Sequence, residues 1–160
     1  MVRARDRMTM YWPMPVQMVA TFLISVQLWW ALFVLRETRH WTFASFLVVL
    51  MQPVAVYLMA AFITPDTSGE KPVDLREAYF RESRWFFGAG VAAVVVSFLK
   101  NIILAGQPPA HADLVGHVVF AVAGLTGLIS KSDMVHKVLA PFMLLAYSAY
   151  IALLFVRLPQ

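Results

Sequence analysis

Residues 85–106 read WFFGAGVAAVVVSFLKNIILAG, a run in which Lys100 is the one charged side chain. Such a run is close to the ~20 residues that a helix needs to cross a ~30 Å hydrocarbon layer. Comparable apolar runs fill most of the remaining chain. We therefore predict an all-α integral membrane helix bundle, with a single transmembrane domain over residues 1–160. Its five transmembrane helices are expected at about residues 14–35, 41–63, 85–106, 112–130 and 137–157.

The composition points to the same class. Hydrophobic residues make up 61% of the chain and charged residues 14%, whereas soluble domains carry about 25% charged residues. The mean hydropathy is +0.71. The chain has no cysteine, which excludes disulfide frameworks, thiolate metal sites and cysteine nucleophiles. The histidines and carboxylates show no metal-ligand spacing either, so we expect no metal and no cofactor.

The basic residues lie at the ends of the apolar runs. They are not gathered into a patch interleaved with exposed aromatic residues, so they do not indicate a nucleic-acid partner. Most of them fall before the first run, in residues 64–84 or in residues 130–137. Because cytoplasmic connections of membrane proteins carry an excess of Lys and Arg, we predict a cytoplasmic N-terminus and an outside C-terminus. The lipid bilayer is the expected partner.

Residues 74–84 differ in composition from the five runs. Asp74 is followed three positions later by Glu77, the spacing of a capping box at the start of a helix. Aromatic and charged residues then mix over the next two turns, which is typical of a helix lying in the headgroup layer. We predict a short interfacial helix over residues 74–84, which either sets the tilt of the next helix or offers a docking surface to a cytoplasmic partner.

Small residues recur at four-residue steps in the third run and line one edge of the fourth. In lipid, small side chains allow two helix backbones to approach closely. We interpret them as the contact between the third and fourth helices, with a contact between protomers as the alternative. The helix-packing residues are Ala89, Ala93, Ser97, Gly116, Ala123 and Gly127.

Polar side chains inside the apolar runs carry most of the functional information, because each one costs free energy unless it finds a partner or water. Counted along the helices, these side chains converge on the outer half of the bundle. The candidate polar cluster consists of Lys100, Asn101, Asp113, His117, Gln27 and Gln52.

Lys100 allows three interpretations. Its side chain can snorkel to the outer headgroups. It can pair with Asp113, with Asn101 and His117 completing a staple that fixes the third helix against the fourth. In the third interpretation these four residues line an outward-facing cavity that binds an anion or relays protons, and the two glutamines of the cluster are further lining.

Several aromatic motifs resemble those of a group of bacterial polytopic inner-membrane proteins. The motifs are QLWWALF at 27–33, WTF at 41–43, PD at 65–66, DLR at 74–76, YFR at 79–81 and RWFFG at 84–88. In that group they take the form of a QFWW run, a WTF helix start and an RRWFFG helix start. The resemblance covers most of the chain from about residue 11 and implies no activity. It also implies a further helix before residues 3–7, and hence six spans with an outside N-terminus in the complete protein.

The sequence contains no catalytic signature, so we do not expect an enzyme. We expect a multi-pass protein of the bacterial inner membrane, and the leading hypothesis is an assembly or interaction protein: a homo-oligomer or a subunit bound to a membrane-complex partner. The competing hypothesis is a small transporter or channel that uses the outward-facing polar cluster around Lys100 and His117. The substrate is unknown under either hypothesis.

Overall fold

A computed structural model describes residues 8–37, 41–66 and 73–154 of the chain. Over these residues the protein is helical, apart from a pair of two-residue strands. The helices are α1 (Pro13–Phe33), α2 (Phe43–Ile63), α3 (Leu75–Ala105), α4 (His111–Ile129) and α5 (Asp133–Leu154). A 3-10 turn follows α1 at Val34–Glu37. Strand β1 (Met8–Thr9) pairs in parallel with β2 (Val73–Asp74).

All five helices are long and apolar enough to cross a membrane by length and composition. Four of the predicted spans agree with the observed helices to within four residues at their described ends. The exception is α3, which starts ten residues before its predicted start at 85. The basic segment at residues 3–7 and the predicted end of the fifth span at residues 155–157 lie outside the described residues. The five apolar helices fit a multi-pass membrane protein.

The helices form a closed ring in chain order. Each helix packs along the next one in the sequence, and α5 packs along α1 to complete the ring. The short connections make successive helices antiparallel, so α1, α3 and α5 all begin at the same end. We call that end the basal end and the opposite end the distal end. Across the ring, α1 touches α3 over a short stretch, which leaves the centre to the side chains.

The basal end contains the densely packed core. Tyr79, Phe86 and Phe87 of α3 are almost fully buried there, at 1%, 1% and 2% exposure. They pack with residues from each of the other helices and with Tyr11 in the segment before α1. Burial raises the pKa of the Tyr11 hydroxyl above its ordinary value, which keeps this hydroxyl neutral inside the core.

The predicted interfacial helix over residues 74–84 is wrong, because these residues form the first three turns of α3. Asp74 does cap the helix, since its carboxylate accepts hydrogen bonds from the backbone N–H groups of Arg76 and Glu77. The helix then runs without a break to Ala105. Tyr79 and Phe86 are both buried in the basal core, and because they are two helical turns apart, a bend between them would remove one of them from it.

The ends of α2 and α3 follow from local hydrogen bonding. Thr42 and Ser45 form a capping box at the start of α2, which the sequence analysis did not identify. Gly106 ends α3 in the left-handed conformation, with φ of 66°, and donates its N–H to the carbonyl of Ile102. A residue with a side chain is strained in this conformation, and two prolines follow before α4.

The small residues divide between four environments: the contact of α4 with α3, the contact of α4 with α5, the basal core and a central cavity. On α4, Gly124 and Gly127 face α3, where a Cβ atom would lie 2.9 Å from Val91 and 2.6 Å from the Phe87 ring. Gly116 instead faces Tyr150 of α5, at 2.5 Å from such a Cβ atom. On α3, Ala89 packs against the basal core, as Ala123 of α4 does. Ala93 and Ser97 line a central cavity, which is described below.

We expect Gly127→Ala to lower the free energy of unfolding by about 1–3 kcal/mol, because the added methyl group overlaps the Phe87 ring, which has no room to move in the core. Gly88→Ala is the matched control. Its Cβ atom would meet Leu128 at an ordinary 3.7 Å, so this variant should keep or gain up to about 1 kcal/mol of stability from helix propensity. Unfolding by denaturing detergent measures both, and equal stability of the two variants would refute this account of the contact.

Candidate functional site

A cavity of about 460 Å³ lies in the centre of the ring. This volume is within the ~300–1,000 Å³ that is usual for small-molecule sites. All five helices contribute to its walls, which are mostly apolar. At the basal side it ends on Phe86 and Phe87, and at the distal side it extends to Leu35 and Ala105.

The six residues of the predicted polar cluster all line this one cavity. Their helices are brought together by the ring, since one glutamine comes from α1, the other from α2, and the remaining four residues from α3 and α4. They are Gln27, Gln52, Lys100, Asn101, Asp113 and His117. Three further polar residues line the same space, namely Ser97, Tyr147 and Tyr150.

Lys100 bonds to α2 rather than to α4. Its Nζ donates a hydrogen bond to Gln52 Oε1 at 2.7 Å, and among the ion pairs of residues 8–37, 41–66 and 73–154 none joins Lys100 to Asp113. The predicted Lys100–Asp113 pair is therefore not formed. Gln52 lines the same cavity from the neighbouring helix α2. The Lys100 ammonium is therefore directed into the ring and not along the outer surface.

His117 connects α4 to α3. Its Nδ1 lies 2.8 Å from the backbone carbonyl oxygen of Asp113, and since a carbonyl only accepts, Nδ1 carries the proton and donates. Its Nε2 lies 3.1 Å from Ser97 Oγ, which places the Ser97 hydroxyl in hydrogen-bond contact with the second ring nitrogen. Asn101 bonds within α3, where its Nδ2 donates to the backbone carbonyl oxygen of Ser97 at 3.1 Å.

Two tyrosines connect α5 to its neighbours. The Tyr147 hydroxyl donates to Gln27 Oε1 of α1 at 2.7 Å. The Tyr150 hydroxyl donates to the Asp113 carboxylate of α4 in a short hydrogen bond. The second charge of the cavity, Asp113, is thus held by Tyr150 and lies 3.5 Å from Nδ1 of His117.

Three residues that bond within the cavity were not predicted as members of the polar cluster, and a buried histidine at the basal end was not predicted as a core residue. From the sequence, Tyr147 and Tyr150 fit either aromatic packing or a role as hydroxyl partners of the polar cluster, and in the structure both hydroxyls bond to cluster residues. Ser97 was assigned to the small-residue edge, and its hydroxyl was overlooked. His136, placed at a helix end, is fully buried at the basal end: its Nε2 donates to the Ser130 carbonyl at 2.9 Å and its Nδ1 accepts from Tyr79 at 2.9 Å.

The chemistry available in the cavity is recognition by charge and hydrogen bonding. Over the described part of the chain, no three histidine, cysteine, aspartate or glutamate side chains come together as a metal site would require. His117 and Ser97 are bonded directly, but Asp113 holds the opposite ring nitrogen through its backbone carbonyl and not through its carboxylate. The Asp113 carboxylate lies 3.5 Å from the same nitrogen, farther away than the backbone carbonyl oxygen at 2.8 Å.

Comparison of the chain with protein-family models, with curated proteins and with solved structures gave no match. The assignment of the cavity therefore rests on its own geometry.

We expect Gln52→Leu to lower the free energy of unfolding by about 1–3 kcal/mol, because it leaves the Lys100 ammonium without its hydrogen-bond acceptor. Adding Lys100→Met to Gln52→Leu should restore part of this loss, since the unpaired charge is then removed. The double-mutant cycle should give a coupling of about 1 kcal/mol or more. Met51→Leu, on the exposed neighbouring position, is the control, and strictly additive losses would show that Lys100 and Gln52 do not interact.

Proposed function

We propose that the protein is a multi-pass membrane transporter without catalytic activity, which binds a small molecule in the central cavity. The observation that supports this proposal is the convergence of nine polar side chains from five helices on one cavity inside an apolar ring. Each of these groups is costly in a membrane unless it has a partner or a function. Binding of a transported molecule would give all nine polar side chains a shared ligand.

The surface of the bundle supports a membrane location. Large apolar side chains are exposed along all five helices, where lipid would cover them. The exposed tryptophans lie in two groups, which fits the aromatic belts at the two membrane interfaces. Trp12 and Trp85 are in the basal half, and Trp29, Trp30 and Trp41 are at the distal end.

We propose that the membrane is the bacterial inner membrane and that the basal end faces the cytoplasm. Basic residues are concentrated at that end, as the positive-inside rule requires. Among the described residues, the basal end carries Arg76, Arg81, Arg84, Lys131 and Lys137, and the distal half carries Arg36 and Lys100. With this orientation the cavity extends toward the outside, and the basal core separates it from the cytoplasm.

A one-sided cavity above a packed core is the arrangement expected of a carrier in one of its two states. Carriers bind substrate near the middle of the membrane and open to each side in turn. We place transport before the assembly or interaction role because the polar groups lie inside the ring and not on an outer face. A homo-oligomer or complex subunit stays a prediction from the sequence.

The absence of cysteine makes single-cysteine labelling a direct test of the proposal. Ala93 lines the cavity, whereas its neighbour Ala92 is exposed on the outer surface of α3. We expect a membrane-impermeant, water-soluble thiol reagent to modify Ala93→Cys in intact vesicles. Ala92→Cys should stay unmodified in the same vesicles, because a thiol in lipid does not ionise and only the thiolate reacts.

The side of addition distinguishes the orientations. Reaction of Ala93→Cys from the outside alone supports a cavity that opens outward. Reaction from the cytoplasmic side alone would reverse the proposed orientation and leave the cavity in place. Equal protection of Ala93→Cys and Ala92→Cys from both sides, with both variants folded, would show that water does not reach the cavity and would rule out transport through it.

A further inference from the structure

We propose that the ligand of the central cavity is a single-chain amphipathic anion, with its anionic head at Lys100 and its apolar tail directed toward Met59 and Phe86. This inference rests on the proposed function, because it assigns a substrate class to the same cavity. It follows from an imbalance between the two charged residues and from the way polarity changes along the cavity.

Lys100 and Asp113 differ in the direct partners that each charged group has within the protein. The Asp113 carboxylate accepts a hydrogen bond from Tyr150 and faces Nδ1 of His117. The Lys100 ammonium has three N–H donors, and its hydrogen bond among the described residues goes to Gln52, a neutral amide. Asp113 also attracts Lys100 through space, but no direct ion pair joins the two among the described residues. An ammonium whose direct partner is a neutral amide has N–H groups left for charge-assisted hydrogen bonds to an incoming anion.

Polarity changes with depth in the cavity. The polar residues lie around Lys100, and the distal mouth beyond them is lined by Leu35, Leu104 and Ala105. Toward the basal end the lining becomes Val56, Met59, Gly90 and Phe86. From Lys100 to Gly90 is ten positions along α3, or about 15 Å, and from Gln52 to Met59 is seven positions along α2, or about 10 Å. A ligand that fills the cavity therefore has a polar head and an apolar tail roughly 10–15 Å long.

The small side chains on α3 make room for that tail. Ala93 lies seven positions before Lys100, about 10 Å deeper, and both residues line the cavity. At Gly90 an added Cβ atom would already meet the Met59 side chain at 3.4 Å. Larger residues at these two positions would fill the apolar part of the cavity and leave the charged part unchanged.

The test uses probes that share one tail and differ in the head. Octanoate, octan-1-ol and octylammonium are added to Ala93→Cys in phosphatidylcholine nanodiscs, and the rate of thiol modification is measured. We expect octanoate to slow modification at a concentration at least about tenfold below that needed for octan-1-ol, since a hydrogen bond to a charged group is stronger than one to a neutral group. Octylammonium should protect least.

Lys100 variants assign the effect to its charge. Lys100→Met in the Ala93→Cys background should raise the half-protecting octanoate concentration by about tenfold or more and leave that of octan-1-ol unchanged. Lys100→Arg keeps the charge and should retain octanoate protection. Lys131→Met, at an exposed basal position, is the matched control for the loss of one lysine. The unfolding transition of each variant confirms that it is folded.

Tail length is the second arm. Each added methylene should improve protection by about fourfold until the tail reaches the basal core, after which longer carboxylates should gain nothing. Ala93→Leu should move this limit to a shorter tail, measured as thermal stabilisation by the carboxylate series, and Ala92→Leu should not. If the longest tail that still adds stabilisation is the same in the parent protein, Ala93→Leu and Ala92→Leu, the assignment of the tail to the apolar part of the cavity is overturned.

The source of the anion is distinguished by the nanodisc lipid. Protection by octanoate and not by phosphatidylglycerol supports a free single-chain carboxylate. Lys100-dependent protection by phosphatidylglycerol without added octanoate would overturn the single-chain assignment, because this lipid carries two chains, and would assign the anionic head to a bilayer lipid. If Ala93→Cys reacts but octanoate protects no better than octan-1-ol, or protects equally after Lys100→Met, the amphipathic anion is excluded while the proposed function stands. If Ala93→Cys never reacts, the proposed function itself fails.

Discussion

The arrangement of the five helices depends on hydrogen bonds between polar side chains inside the apolar ring. Each of these side chains needs a partner, and the partners lie on neighbouring helices. Four of the five contacts in the ring carry such a hydrogen bond at the cavity: Gln27–Tyr147 between α1 and α5, Gln52–Lys100 between α2 and α3, Ser97–His117 between α3 and α4, and Asp113–Tyr150 between α4 and α5. Among the described residues, the contact between α1 and α2 has no side-chain hydrogen bond of this kind at the cavity. Because an unsatisfied polar group in this environment costs free energy, these bonds favour one order and one register of the helices.

The same constraint explains why the two ends of the bundle differ. At the basal end large aromatic side chains surround His136, whose two ring nitrogens are both bonded, so the interior is filled. Farther toward the distal end Ala93 and Ser97 line the cavity with small side chains, and the polar groups on its walls bond to their neighbours. The centre is left open as a result. A ring that is closed by a core at one end and hollow at the other supplies the asymmetry on which the transport proposal is based.

The outcome for particular residues shows where the sequence was sufficient. The six members of the polar cluster were selected because each interrupts an apolar run, and the ring brings all six to one cavity. Their partners were not predictable in the same way. One of the three interpretations of Lys100 paired it with Asp113 across the α3–α4 connection, but α2 lies alongside α3 and presents Gln52 as the direct partner. The interfacial helix failed for a related reason: mixed charges suggested a helix lying in the headgroups, whereas burial of Tyr79 and Phe86 on one face keeps residues 75–105 in a single helix.

The sequence by itself determined that the protein is an all-α bundle of apolar helices. It also determined the approximate positions of the five helices and the identity of the polar residues inside them. These properties depend on helix length and hydrophobicity, which are local. The tertiary structure alone decided that the helices close into a ring, that α5 lies against α1, that Tyr147 and Tyr150 join the polar network and that a cavity of about 460 Å³ remains at its centre. Those properties depend on which faces of distant helices meet. In apolar surroundings hydrophobicity does not distinguish one helix face from another, so the choice falls to small side chains and to polar groups that need each other.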